Sequence, residues 1–575
     1  MCGIAGVIGE GSARPMIEQL VHRGPDGVRV EEHPGLSLAH ARLSIIDLEG
    51  GWQPLTAAGS TVIGNGEIYN YLELIEEFGL KDRLSTGSDF EPLLHLYALE
   101  GEAAFARLRG MYAFCLVGGD GRTWLVRDPF GIKPLYIPRE GQTRFASEPR
   151  ALVARPVLEP ARAEELLTFG YTLGDAWRGV RRLRPGERIC TSPPPCGEGA
   201  GGGGVSSASA GSALTPPPHP LPARGRGSLI AQLDAVLEDS VAVHQRADVP
   251  YGLFLSGGID SAAIATLMAR LNTRPVTAFT CGFDAPGAAD ERAQAERVAR
   301  ALNLDWRETS FGEADFWRIL PQVAWALDDP TADYAALPTY KLAEAAKGTL
   351  TVVLTGEGGD ELFAGYGRYR RALRPAWLGG RDAGPRAVAH ELADGGAGAV
   401  ARWREAAATA LPGLTRLQQA QAADIATWLP NDLLLKLDRT LMAHGLEGRT
   451  PFLDREVAAF AFNLPDRFKV RGRYGKWLLR KWLEKHLPAA APWARKKGFT
   501  VPVAAWIAPR ARDLAPALAA HQGLAQVCDL EAVRAVFERD DHASGRWPLL
   551  FYAVWWNIHV AGMERGEALR SLHTP

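Results

Sequence analysis

Two clusters of residues in this chain have the types and spacing to do covalent chemistry. The first is Cys2 followed by Gly3-Ile4-Ala5-Gly6. If Met1 is trimmed, as a small second residue favours, Cys2 carries a thiol and a free α-amino group on one carbon. An α-amino group has an unperturbed pKa of about 7.7–8.0, so it can act as a base near neutral pH. A thiol needs such a base to become the attacking thiolate. The second cluster is Ser256-Gly257-Gly258-Ile259-Asp260-Ser261, directly after the apolar run Tyr251–Leu255. Paired glycines between a strand and a helix let backbone N–H groups curl around a phosphate, and the helix N-terminus adds partial positive charge. Ser256 and Ser261 add hydroxyl donors. Asp260 belongs beside a phosphate only with a cation between them, which points to Mg²⁺.

The elements around these clusters follow two patterns. Before residue 190, short β-rich runs alternate with turns. Thr61-Val62-Ile63 leads to an Asn-Gly pair, and Met111–Val117 and Thr123–Val126 flank Gly118-Gly119-Asp120-Gly121 as an antiparallel hairpin. Phe90–Glu100 has helical apolar spacing. After residue 228, strand-like Tyr251–Leu255, Val276–Phe279 and Leu350–Leu354 alternate with helical Ala262–Leu271 and Glu291–Leu302. That alternation predicts a doubly wound parallel sheet. Beyond residue 430 the pattern is mostly helical. Between the two regions, residues 191–227 hold eight Pro and nine Gly in 37 positions, against 39 Pro and 62 Gly in all 575 residues. So few large apolar side chains cannot offset the entropy of ordering, and a disordered insertion is expected.

A chain of 575 residues exceeds one core and divides into domains: 2–190, the 191–227 insertion, and 228–575. Lys plus Arg (64) balance Asp plus Glu (66), so no overall field recruits nucleic acid or an anionic membrane. No apolar run is long enough for a membrane span, and the start does not read as a secretory signal. Cys2, Cys115, Cys190, Cys196, Cys281 and Cys528 lack metal-site or disulfide-framework spacing. The expectation is a reduced, cytoplasmic protein without nucleic-acid or membrane partners; a homodimer stays open.

Further motifs give the chain a family likeness. Cys2 is followed by His22-Arg23-Gly24-Pro25-Asp26, Ala41–Leu48, Asn65-Gly66-Glu67-Ile68-Tyr69-Asn70, Gly87-Ser88-Asp89 and Arg127–Tyr136. Together these resemble the glutaminase domain of class II, N-terminal-nucleophile glutamine amidotransferases, which implies an αββα antiparallel sandwich. By that resemblance Cys2 is the nucleophile, and Asn65 and Gly66 form the oxyanion hole. Arg42 would grip the glutamine carboxylate, and Glu67 and Asp89 its ammonium. The SGGxDS motif resembles the loop of ATP pyrophosphatases. Thr355-Gly356-Glu357-Gly358-Gly359-Asp360-Glu361, with Lys436–Arg439, Leu446–Asp454 and Gly475–Arg480, resembles the asparagine synthetases. The resemblance implies nucleotide contacts from Leu255, Ser256, Gly257, Gly258, Ser261, Cys281, Thr355 and Gly356. It also implies Asp260 and Asp360 on Mg²⁺, Glu357 in forming an acyl-adenylate, and Lys476 stabilising its charge. It places 446–454 among substrate-side helices, and Arg495-Lys496-Lys497-Gly498-Phe499 as a closing basic turn.

The expected activity is that of a ligase using ATP and glutamine to amidate aspartate through β-aspartyl-AMP, releasing AMP, PPi and glutamate. Thr355, Gly448, Thr450 and Pro149 depart from the family pattern. Another carboxylate, such as a uronic acid or a peptide, therefore stays open as acceptor. A sugar-phosphate-linked amidotransferase would not need the Ser256 loop. A tRNA-modifying pyrophosphatase would not need Cys2, and a dead scaffold would be expected to lose one of these residues.

Overall fold

A computed structural model describes residues 2–153, 156–191, 206–208, 228–285, 291–374, 377, 395–408, 413–495, 501–539 and 545–573. The first half is built on two six-stranded antiparallel sheets. In chain order its strands are β1 (Gly3–Ile8), β2 (Gly27–His33), β3 (Leu36–Arg42), β4 (Leu55–Ala57), β5 (Ser60–Ile68), β6 (Gly110–Val117), β7 (Thr123–Arg127), β8 (Tyr136–Pro138), β9 (Arg144–Ala146), β10 (Val180–Arg182), β11 (Arg188–Thr191) and β12 (Ser206–Ala208). One sheet has the order β10-β8-β9-β1-β3-β2 and the other β12-β11-β7-β6-β5-β4.

Period-two alternation assigns each strand's faces. Ile4, Leu38, Ile63, Ala113, Cys115, Leu125 and Phe145 meet between the sheets. Tyr112, Phe114 and Leu116 turn outward onto the helix Glu91–Glu100. Ala5, Val7, Ala39 and Ala41 face Met16 and Ile17 of the helix Arg14–Glu18, in an apolar cluster that takes in the helix Pro160–Phe169 and continues into Leu320, Trp547 and Trp555. Helices thus cover both outer faces, giving the expected αββα layering, and the second half packs directly on one of them. Within the 191–227 insertion, Ser206–Ala208 form a short edge strand. These residues pair with Arg188–Cys190 at the sheet edge, and a backbone ladder needs no apolar side chains. The rest of 192–227 lies outside the described residues.

The second half is organised on a five-stranded parallel sheet: β13 (Tyr251–Phe254), β14 (Thr277–Phe283), β15 (Asp305–Phe311), β16 (Val352–Leu354) and β17 (Glu447–Arg449), ordered β15-β14-β13-β16-β17. Helices Ile259–Leu271 and Ala336–Ala346 pack on opposite faces. The order reverses between β13 and β16, the switch point where such sheets bind ligands beyond their carboxyl ends. The Ser256 and Thr355 loops leave these two strands. One local expectation is corrected: Glu447–Arg449 is the fifth strand and Pro451–Leu453 a single 3₁₀ turn, not helix. Gly448 suits this position, because an added Cβ would lie 3.0 Å from Leu437 and 3.1 Å from Leu441 on the crossing helix.

Buried charge joins the halves. Arg23 bonds Asp438 twice, at 2.8 and 3.1 Å, and Glu148 at 2.9 Å. Arg439 is 2.9 Å from Asp438 and 2.9 Å from Asp328. Burial opposes the Asp438 charge, but Arg23, Lys133 and Arg439 together hold its carboxyl below its ordinary range. Removing one member of such a group strands the others in a dry place. Asp438→Ala should therefore lower stability by roughly 3–5 kcal/mol, read as a shift in the urea unfolding curve. A change below about 1 kcal/mol would show that the network behaves as a solvated one.

Candidate active sites

In the first half, Cys2 precedes β1 and is buried. Its backbone N–H donates to Asn65 Oδ1 at 3.1 Å, and its Sγ lies 3.9 Å from the Leu43 carbonyl. Burial raises the thiol pKa, with the Leu43 contact opposing, so the thiolate needs a base beside it. Asn65 Nδ2 is buried and has no hydrogen-bond partner among the described residues. A carboxamide that anchors Cys2 by its oxygen and keeps its N–H₂ unspent is equipped to meet a developing oxyanion. Next to it, Gly66 has φ +133°, and an added Cβ would sit 2.0 Å from the Met111 carbonyl. Only glycine fits there.

Arg42 ends β3. It donates to the carbonyls of Asp47 at 2.6 Å and Leu48 at 3.1 Å, and its guanidinium lies over the Trp52 ring at 4.9 Å. Asp47 (φ +52°) braces this loop by accepting from Gly50 N–H and Gly87 N–H at 2.8 and 2.7 Å. That second bond ties in the Gly87-Ser88-Asp89 segment. Asp89 accepts from Ile68 N–H at 2.7 Å. Burial pushes its carboxyl up to about 7, despite that bond. Burial and Asp89 together raise Glu67 well above its ordinary value. Two adjacent buried carboxyls of this kind hold their charge more easily with a cation between them.

In the second half the two glycine-rich loops abut. An added Cβ on Gly356 would lie 2.9 Å from Asp260 Cβ, and one on Gly359 2.8 Å from Asp260 Oδ1. Ser256 Oγ and Ser261 Oγ are 3.0 Å apart, and Gly258 N–H donates to Ser256 Oγ at 3.1 Å. Lys476 Nζ bonds Asp260 and lies 2.6 Å from Asp360. Its backbone is left-handed, with φ +54° at the cap of the helix Trp477–His486, a strained position of the kind that gathers at functional sites. Gly365 leaves room for this group, because a Cβ there would overlap Asp360 and Lys476 at 1.8 and 2.2 Å. Glu357 lies 3.9 Å from Lys436, which bonds Asp333 at 2.7 Å. Burial raises the Glu357 carboxyl, with Lys436 opposing.

Leu255 is buried. Its N–H donates to Phe279, and its carbonyl accepts from Thr280 Oγ at 2.7 Å. Cys281 lies on β14, and burial pushes its thiol up to about 12. Thr355 N–H donates to the Arg449 carbonyl at 2.9 Å. Residues 496–499 of the expected basic turn lie outside the described residues.

Sequence reasoning missed three participants. Glu291 accepts from Gly257 N–H at 3.1 Å, a carboxylate oxygen standing where the phosphate reading puts an anion. Arg23 Nε donates to the Cys2 carbonyl at 3.4 Å. Arg449 lies 3.6 Å from Glu67 and bonds Glu447 at 2.5 Å. Arg23 and Arg449 lie inside the family-like motifs, but Glu291 carried no signal.

Comparison with known proteins agrees with both halves. A family model described as asparagine synthase matches residues 232–559, and one described as glutamine amidotransferase domain matches 1–193. The chain is 31% identical to asparagine synthetase [glutamine-hydrolyzing] 1 of Bacillus subtilis, over 99% of this chain and 98% of that one. It is 33% identical to a putative asparagine synthetase of Mycobacterium tuberculosis, over 94% and 92% of the two chains. It is 28% identical to asparagine synthetase B of Escherichia coli, over 83% and 77%. Among the described residues no helix is long and apolar enough to cross a membrane. With these matches spanning both halves, the chain belongs to the asparagine synthase family, ligases that form carbon–nitrogen bonds.

Proposed function

We propose that the chain transfers the amide nitrogen of glutamine to aspartate, using ATP. The single observation that carries the reading is that one chain holds both constellations intact: Cys2 on Asn65, and Lys476 between Asp260 and Asp360. Once Met1 is removed, the nitrogen held by Asn65 Oδ1 is a free amine. It takes the thiol proton as Sγ attacks the glutamine side-chain carbonyl. Asn65 Nδ2 and Gly66 N–H receive the oxyanion, the ammonium passes its proton to the leaving nitrogen as the C–N bond breaks, and ammonia departs from a thioester that water opens to glutamate. Arg42 orients the α-carboxylate, and Glu67 with Asp89 the α-ammonium.

In the other half, the aspartate side chain attacks the α-phosphorus of ATP, PPi departs, and β-aspartyl-AMP forms. Ser256, Gly257, Gly258 and Ser261 supply donors to the phosphates, with Glu291 giving way. Leu255, Cys281, Thr355 and Gly356 border the nucleotide. Asp260 and Asp360 suit Mg²⁺, which typically takes one or two carboxylates and completes its shell with phosphates and water. No group of three or more metal-binding side chains gathers among the described residues. When bound, Mg²⁺ would neutralise charge on the departing PPi. Lys476 balances charge on the transition state. Ammonia reaching the adenylate internally, and so escaping protonation in bulk water, then displaces AMP. Glu357, with its raised pKa, takes a proton from the adding nitrogen.

The test of the acceptor is ATP-dependent PPi release across aspartate, a uronic acid and a carboxyl-terminated peptide. Aspartate should exceed the others in kcat/KM by at least about tenfold. A larger value with either of the others would reassign the acceptor.

A further inference from the structure

We infer that Arg449 is a positioning residue that links occupancy of the glutamine pocket to the nucleotide loop. The inference rests on the two half-site assignments proposed above. Arg449 is fully buried on β17, and its two ends face different sites. Its main-chain carbonyl accepts from Thr355 N–H at 2.9 Å and from Thr355 Oγ at 3.4 Å. Thr355 is the first residue of the loop that carries Gly356, Glu357 and Asp360. Its side chain reaches the other half. Nη2 lies 3.6 Å from Glu67 Oε1, an ion pair too long to be a hydrogen bond.

The remaining guanidinium nitrogens are fixed. Nε donates to Glu447 at 2.5 Å, and Nη1 donates to the carbonyls of His244 and Arg246 at 2.9 and 2.7 Å. Those carbonyls belong to a segment stitched to the glutaminase half. Arg246 bonds Glu73 at 2.7 and 2.6 Å and also holds the Tyr69 carbonyl. Asp248 accepts from Asp47 N–H at 2.8 Å, and its own N–H donates to Ile45 at 2.8 Å. The same segment runs into β13 and the Ser256 loop. Arg449 Nη2 and Glu67 Oε2 are among the buried atoms of this frame without hydrogen-bond partners among the described residues. A guanidinium fork and a carboxylate can close bidentately, yet here they stand apart and incompletely matched.

A second cation decides between two arrangements. Without glutamine, Glu67 has Arg449 as its counter-charge. With glutamine bound, the α-ammonium takes Glu67 and Asp89, and Arg449 is left to Glu447 and the two carbonyls. Arg449 carries that change to Thr355 through its own peptide, with no intervening residue. Linkage makes the effect reciprocal, so nucleotide binding alters glutamine affinity by the same factor.

The test uses the full-length Cys2→Ala enzyme, which binds glutamine without consuming it, with ammonium as nitrogen source. Saturating glutamine should change the KM for ATP by about fivefold or more. In Cys2→Ala with Arg449→Lys, which keeps the charge but not the fork, calorimetry should still detect glutamine binding while the effect on ATP falls below about twofold. Should the lysine variant not fold, amide hydrogen exchange at Thr355 in Cys2→Ala gives the same answer, its protection changing at least about fivefold on adding glutamine. An unchanged ATP KM and unchanged Thr355 exchange with glutamine bound would overturn the linkage, as would full coupling in Arg449→Lys. Failure of Cys2→Ala to bind glutamine would overturn the pocket assignment, and the linkage with it.

Discussion

Cys2→Ala should abolish amide formation from glutamine, by a factor of about 10⁴ or more, while leaving activity with high external ammonium near the parent level. The alanine keeps the backbone N–H that Asn65 anchors, and Cys2 makes no buried ion pair, so the fold and the second half should be undisturbed. The size of the loss follows from the chemistry: no nearby group replaces a thiolate that must form a covalent intermediate. Steady-state rates with each nitrogen source check it. Loss of both activities would mean that the two half-sites cannot be separated.

Lys476→Met should do the reverse. Lys476 Nζ is the only described cation bonded to both Asp260 and Asp360. Without it, a positive charge is lost beside two acidic groups at the nucleotide phosphates. Removing one preorganised charge contact to a transition state costs a factor of about 10²–10³, so acceptor-dependent PPi release should fall by that much. Hydrolysis of glutamine at Cys2 should persist. Equal loss of both would indicate that Lys476 supports the fold, and PPi release within about threefold of the parent would remove it from the chemistry.

Much of this architecture is legible along the chain because its signals are local. The hairpin of β6 and β7 shows its alternation and its Gly-rich turn within a few residues. The Ser256 loop shows strand, paired glycines and helix in one stretch. Cys2 is marked by its position. What stays hidden is of two kinds. β17 is only three residues long and buried on both faces, so Glu447–Arg449 offers no period to read. β15 is largely exposed and polar along Asp305–Ser310, and its strand state is set by pairing with β14 rather than by composition. The other hidden features are tertiary. Arg23 meets Asp438 across 415 positions, and Arg449 meets Glu67 only because a parallel sheet docks on the sandwich. No spacing rule relates such pairs.

Nitrogen freed at the sulfur of one half should be consumed in the other without passing through solvent. The most direct measurement is the isotope content of the amide product made from side-chain ¹⁵N-glutamine in excess unlabelled ammonium. The expected product is asparagine carrying the label nearly undiluted. Product nitrogen matching the surrounding ammonium pool would contradict it.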